Sequence, residues 1–517
     1  MRTLQVILMV CVLVAGCSTA SPSPSALTSA APSAGASSPS GESAFQSVEC
    51  PDAVVVVMVA APECAYLSVP ERHDQPGGNA IRIFVIRIDP TDGAVAEDAM
   101  VVVGETLGAR IEYGGVAQLA QRTGRTAYVV DRRGTGLSEP LLDCPEVTDA
   151  APAILAVPSR NAASSTVLEA AVRDCRSRLT EAGIDVGAYG LRESALDIEA
   201  LRVALGLEPW NVIGFGSASR LALEVGRLAP AGVRTLVLDS PVLPEGPDPM
   251  FAAEAAAAAI GQLAEGCAAE PACATAHLDL AGELEEAEVA LDEEPVEFEV
   301  ELTPGRRSTV VVDGVRFGRA VRNQLAAHGG AEAHRVLTSL SAALEGGLSA
   351  EDPLVQLIVG ADPLCLGYVP TCVGIQHGSL LTTICGDVLP YVERDGVFIG
   401  RLDVPGMAGV FATNPFFVAC DAWDVDPDPR IGDPIETAIP TLAMVGQFDP
   451  FTGPIAAIEA AVAGLSHAVV LEVPNHSYNI FGYDECPRLV RRAWLDNLDV
   501  APETGCLADV RTVQLSP

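Results

Sequence analysis

Apolar positions in this chain fall into short, nearly unbroken runs separated by stretches of helical period. Ala80–Asp89 follows the turn signal Gln75-Pro76-Gly77-Gly78-Asn79 and is rich in Ile and Val, which predicts a strand. Ala99–Gly104 and Thr126–Asp131 are almost purely apolar, the pattern of strands buried on both faces of a parallel sheet. Asn211–Gly214 and Val233–Asp239 continue the series. Between these runs the period changes. Ser194-Ala195-Leu196-Asp197 reads as a capped helix start, with Ile198, Leu201, Val203, Ala204 and Leu205 following at helical spacing. Arg220–Leu228 predicts another helix directly after a strand. Strand alternating with helix predicts a mostly parallel, doubly wound α/β sheet.

The alternation stops after Pro241. Residues 249–290 are Ala- and Glu-rich and helical in composition, Pro295–Val312 reads as two short strands, and more helix and loop continue to about residue 430. Pro440–Gly446 and Ala468–Val473 then restore the buried-strand pattern, and Pro487–Asn497 reads as a final helix. The expected architecture is a core of residues 48–245 and 431–517, interrupted by a large, mainly helical cap at 246–430. A cap inserted there would cover the carboxyl ends of the strands, where open sheets bind ligands.

The N-terminus has another character. Leu4–Gly16 is apolar except for Gln5, and Arg2 is the only early charge. The run is too short to span a bilayer and suits the apolar region of a secretory signal. Leu13-Val14-Ala15-Gly16-Cys17 resembles a bacterial lipobox. That resemblance implies a signal peptide of residues 1–17, acylation of Cys17, and the outer face of the cell membrane as partner through the lipid. Residues 18–47 are almost wholly Ser, Ala, Pro, Gly and Thr; with little to bury they predict a flexible tether. Val54–Ala61, bounded by Pro51 and Pro62, is strand-sized, and no later run reaches spanning length.

Composition agrees with export. Of 14 cysteines, Cys11 falls in the signal and Cys17 at the lipid site; the remaining 12 form an even set suited to disulfides in an oxidising compartment. Local closure pairs Cys50–Cys64, Cys144–Cys175, Cys267–Cys273, Cys365–Cys372, Cys385–Cys420 and Cys486–Cys506, although spacing alone leaves other connectivities open. No Cys-x-x-Cys occurs and the seven histidines lie far from paired cysteines, so neither a metal nor another cofactor is expected. The net charge of −37, with arginine as every basic residue, repels nucleic acid.

Val129-Val130-Asp131-Arg132-Arg133-Gly134-Thr135-Gly136-Leu137-Ser138-Glu139-Pro140 is a strand ending in a glycine-rich turn. Together with Leu142-Asp143-Cys144-Pro145 it resembles exported α/β-hydrolases of the prolyl and tripeptidyl aminopeptidase type (TAP-like). Glu63–Pro70 resembles their opening strand, Asp197–Leu207 running into Trp210-Asn211-Val212 their helix and strand before the nucleophile, and Ile384–Asp387 and Cys420–Trp423 their cap landmarks. The resemblance implies an α/β-hydrolase fold and a Ser-Asp-His hydrolase that removes short peptides from an N-terminus, or cleaves a related ester or amide.

That chemistry requires a nucleophile on a strained strand-to-helix elbow, with small residues two positions to either side. Here Gly214 and Ala218 are the small residues, and they place Gly216 at the nucleophile position. Using Ser217 instead puts Phe215 at a small position, and using Ser219 puts Leu221 there. Val445–Thr452 resembles the loop of the family's acid, which assigns Asp449; capping its own turn is the other role open to that residue. Val473–Asn479 resembles the loop of the base, but Tyr478 takes the histidine position and His476 stands two residues early. In extended chain that offset is about 6.6–6.8 Å, beyond the reach of a general base. After the Ala99–Val103 strand, Gly104-Glu105 occupies the oxyanion region, where a carboxylate opposes a developing negative charge. The expectation is a lipid-anchored, non-catalytic protein whose capped cleft takes a peptide or small molecule. The rival is a working hydrolase that uses Ser217 or Ser219 with His476.

Overall fold

Among the described residues, eleven strands form where the short apolar runs predicted strands and at two further places. The structure, a computed structural model, describes residues 45–55, 61–104 except 92 and 94, 113–244, 254–327 except 304 and 305, 375–391, and 414–509 except 432, 434, 479 and 481–484. The strands are β1 (Phe45–Val48), β2 (Glu63–Pro70), β3 (Ala80–Ile88), β4 (Met100–Val103), β5 (Ala127–Val130), β6 (Trp210–Phe215), β7 (Val233–Asp239), β8 (Val296–Thr303), β9 (Arg306–Val312), β10 (Thr441–Gly446) and β11 (Ala468–Val473). Nine of them make one sheet in the order β1-β2-β3-β5-β4-β6-β7-β10-β11. Pairing is antiparallel from β1 to β5 and parallel from β5 to β11. β8 and β9 form a separate antiparallel hairpin.

Along β4 the side chains alternate between two cores: Val101 and Val103 face one, Met100 and Val102 the other. The helices include α1 (Tyr113–Thr123), α2 (Pro145–Leu155), α3 (Ala162–Glu181), α4 (Leu191–Ala204), α5 (Ala218–Leu228), α6 (Glu254–Ala269), α7 (Leu280–Glu293), α8 (Gly314–Ala327), α9 (His377–Thr382), α10 (Phe416–Trp423) and α11 (Glu485–Asp496). The first core takes Ile198 and Leu201 of α4 with Leu221 and Ala222 of α5; the second takes Val116 and Ala120 of α1 with Val490 and Trp494 of α11. Helices on both faces are what a continuously apolar strand requires. The chain leaves the sheet after β7 and returns at the adjacent β10. In between, α6, α7, the β8–β9 hairpin and α8 bury a third core, which Leu155 and Phe448 join.

Three expectations change. Phe45–Ser47, assigned to the tether, belong to β1, where Phe45 pairs with Leu67 and packs on the first core. The predicted cap at Ser194 lies inside α4, which starts at Leu191; Ser194 Oγ donates back to Gly190 O at 2.8 Å. The N–H of Leu191 is satisfied from a distance, by Asp387 Oδ2 at 2.7 Å. Val54 and Val55, which begin the stretch read as strand-sized, belong to a helical turn, Asp52–Val55, in which Val54 N donates to Pro51 O at 2.8 Å. Disulfides join Cys50–Cys64, Cys144–Cys175, Cys267–Cys273, Cys385–Cys420 and Cys486–Cys506, as local closure predicted. Cys17, Glu105, Cys365 and Cys372 lie outside the described residues.

Candidate active site

β4 pairs with β5 on one side and β6 on the other, so successive connections diverge there and open a crevice at the carboxyl ends of β4 and β6. Gly104 and Gly216 stand at those two ends, both buried. Gly216 holds φ at +54°, left-handed backbone that a side chain disfavours, and its N–H donates to Asp239 O at 2.9 Å. A Cβ on Gly214 would lie 2.8 Å from Ala218 O and 2.9 Å from Ala222 Cβ, so this turn packs as tightly as a nucleophile elbow must. The two serines differ. Ser219 is fully buried, and its hydroxyl donates to Gly214 O at 3.4 Å, towards the strand it packs on. Ser217 is half-buried at the start of α5.

The loops after β10 and β11 are laced together. Phe448 N donates to His476 O at 2.8 Å, Asn475 N to Gln447 Oε1 at 3.0 Å, and Ser477 Oγ to Phe448 O at 3.0 Å. Ser477 Oγ also reaches Leu325 O, which ties α8 to both loops. Asp449 is buried, and burial pushes its carboxyl above the ordinary range against the hydrogen bonds of its own turn. Its Oδ1 accepts from Phe451 N at 2.8 Å and Thr452 N at 3.0 Å, and Oδ2 accepts from Thr452 Oγ1 at 2.6 Å. The acid therefore caps its own turn. Nδ1 of His476 donates to Pro474 O at 2.8 Å, so that nitrogen too serves the local backbone.

Tyr478 joins the three assigned triad positions through its ring. The ring centroid is 5.0 Å from that of Phe215, next to Gly216, and 4.8 Å from that of Phe451, two residues after Asp449. The Arg322 guanidinium of α8 lies 5.1 Å over Phe451. The Tyr478 ring thus packs on Phe215 beside Gly216 and on Phe451 in the Asp449 loop. Such a surface can hold an apolar or aromatic group; the three assigned positions supply neither an oxygen nucleophile at the elbow nor an imidazole.

Sequence reasoning missed Phe215, Phe451 and Arg322, and also a buried ion pair, Asp239 Oδ2 with Arg491 Nη2 at 2.9 Å. Both residues are fully buried; burial raises the Asp239 carboxyl and lowers the Arg491 guanidinium, each opposed by its partner. The one available signal was Asp239 ending an apolar run just before Ser240-Pro241. A second network was missed at the end of β5. Arg133, 1% exposed, grips Asp197 with Nε at 2.8 Å and Nη2 at 2.6 Å, while Nη1 donates to Glu71 O at 2.5 Å and Ala188 O at 2.7 Å. His73 Nε2 completes Asp197 at 2.8 Å.

The α/β hydrolase fold family matches residues 103–277, from the end of β4 through β7 and into the insertion. The chain has the α/β-hydrolase fold. No curated protein matches it. Solved structures similar to it include a proline iminopeptidase of Mycobacterium smegmatis, at 15% identity over 84% of this chain and 98% of that one, with a TM-score of 0.38. A thermophilic esterase of Thermogutta terrifontis is 13% identical over 84% of this chain and 99% of its own, with a TM-score of 0.36. A carboxylesterase of Bacillus subtilis is 14% identical over 83% of this chain and 88% of its own, with a TM-score of 0.34. The disulfides point to an extracytoplasmic protein. Among the described residues, no helix is long and apolar enough to cross a membrane.

Proposed function

We propose that this chain is an exported protein, anchored by lipid on Cys17 and related to TAP-like aminopeptidases, that binds a peptide or small molecule in a capped cleft without serine-hydrolase catalysis. One observation carries the reading: Gly216, at φ +54°, stands where the motif assigns the nucleophile, and the Tyr478 ring packs on its neighbour Phe215. Two further features support it. Asp449 spends both oxygens on its own turn, and Ser219 is buried against the strand. Removing a triad nucleophile typically forfeits about 10⁶ in rate, since triad members act as a unit. The lipobox-like Leu13–Cys17, the tether behind it and the disulfides support export and anchoring.

A fluorophosphonate probe tests the chemistry. The purified protein should remain unlabelled, and ester and aminopeptidase substrates should turn over no faster than with boiled protein. Gly216→Ser alone should label poorly, because its hydroxyl lacks a base. Combined with Tyr478→His it should gain weak labelling. Robust labelling of the unaltered protein at Ser217, lost in His476→Ala, would overturn the reading in favour of a working hydrolase. The anchor is tested separately: Cys17→Ala should move the protein out of the membrane fraction.

A further inference from the structure

A cavity of about 400 Å³ lies between the first turn of α4, the π-helical turn Thr383–Val388 and the segment 424–430. Its lining includes none of Gly104, Gly216, Asp449 and Tyr478, so it is separate from the candidate active site. Asp387 stands in its wall, 7% exposed. Oδ2 of Asp387 accepts from Leu191 N, and no hydrogen bond from the described residues reaches Oδ1. Gly190 permits this approach, because a Cβ there would lie 2.8 Å from Oδ2. The Cys385–Cys420 disulfide ties the turn bearing Asp387 to α10, which leads into 424–430, so two walls of the cavity are fixed to each other.

The charges around the cavity are unequally committed. Each lining arginine faces a carboxylate: Arg72 pairs with Asp185, Arg430 with Asp428 at 2.7 Å, Arg176 with Asp424 at 3.7 Å and Arg192 with Glu224 at 3.9 Å. Among the described residues, the exposed Asp74 and Asp426 make no ion pair of that kind, and Asp387 keeps one oxygen open. The site therefore favours a positive charge. A bare metal ion fits poorly, because it needs several oxygens converging within bonding reach. The only described group of three converging ligands is Cys144, Glu146 and Cys175, whose two sulfurs form a disulfide elsewhere. An ammonium or guanidinium group needs only one well-placed carboxylate, and its carbon body can fill the space beside Val186, Val425 and Pro427.

We propose that this cavity binds a small organic cation, with its ammonium or guanidinium group seated on Oδ1 of Asp387. The binding carries a pH signature. Burial pushes the Asp387 carboxyl up to about 7 against the Leu191 N–H and Arg132, with Asp428 and Glu224 raising it further. Arg192 and Glu193 of α4 line the space too, with the arginine–carboxylate pairs and the exposed Asp74 and Asp426 named above. A bound cation favours the ionised carboxylate, so affinity rises with pH through that value.

Titration calorimetry with agmatine, which carries both kinds of cationic group, tests the assignment. Between pH 8 and pH 6 the ionised fraction of a carboxyl titrating near 7 falls about tenfold, and agmatine affinity should fall by the same factor. Asp387→Asn can still accept from Leu191 N but has lost its charge. It should bind at least about tenfold more weakly at pH 8, with the pH dependence gone. If that variant does not fold, the exposed pair Asp74→Asn and Asp426→Asn serves instead, and should weaken binding several-fold. Four results would overturn the proposal: no binding of millimolar agmatine at pH 8, equal affinity at pH 6 and 8, affinity unmoved by the variants, or calcium displacing agmatine with the same dependence on Asp387.

Discussion

The carboxyl ends of β5 and β6 are separated in the sheet only by β4, yet they have opposite chemistry. At β5, Arg133 and Asp197 form a buried pair, completed by the half-buried His73, and the guanidinium reaches two backbone carbonyls besides. At β6, Gly216, Phe215 and Tyr478 present a bare turn and two rings. The difference has an energetic reason. Removing one member of a buried ion pair strands its partner without water, so such a network resists piecemeal loss. A catalytic group holds polar atoms ready for a substrate and tends to cost the fold stability. At β6, Gly216 holds a backbone at φ +54° that a serine would strain.

Breaking the β5 network should have the largest effect. Arg133→Met leaves Asp197 and two carbonyls buried without their donor, and should cost about 3–5 kcal/mol in urea denaturation. A cost below about 1 kcal/mol would abolish the contrast. Next comes the Cys144–Cys175 bridge, which closes 31 residues between the β5 turn and α3. Replacing both cysteines with Ser should cost about 2–4 kcal/mol. At β6 the expected cost is smaller. Gly216→Ala forces a side chain into φ +54° and should destabilise by about 1–2 kcal/mol. If it were neutral, the elbow would not be strained.

The gentlest test is a titration. The Asp387 carboxyl sits at about 7 in the fold against an ordinary 3.8, so the folded chain keeps a proton that the unfolded chain releases. Its contribution is full below about 4 and is lost as pH rises to about 7, levelling off above that. Thermal melts across that range should show a downward slope that is shallower in Asp387→Asn. An unchanged slope would remove Asp387 as its source. Glu288, pushed by burial to about 8, extends the same trend upward, so Glu288→Gln should raise the melting temperature at pH 9 relative to the unaltered protein.

Period and composition by themselves pointed to the sheet strands β3 to β7, β10 and β11; β4, β5 and β10, buried along their whole length, must be apolar throughout. Local closure also favoured the disulfide pairs that the described residues contain, and the resemblance assigned Gly216, Asp449 and Tyr478 to one site. Phe45–Ser47 was illegible because pairing with β2, a long-range event, makes a strand of them. The start of α4 was illegible for a similar reason: the acceptor for Leu191 N–H is Asp387, 196 residues away. Tertiary structure alone decided what fills the site. Phe451 and Arg322 reach Tyr478 and its neighbours from other elements, Asp449 turns back onto its own loop, and Arg491 crosses from α11 to Asp239. A sequence pattern records which face of an element is apolar, whereas these contacts depend on how separate elements meet in space.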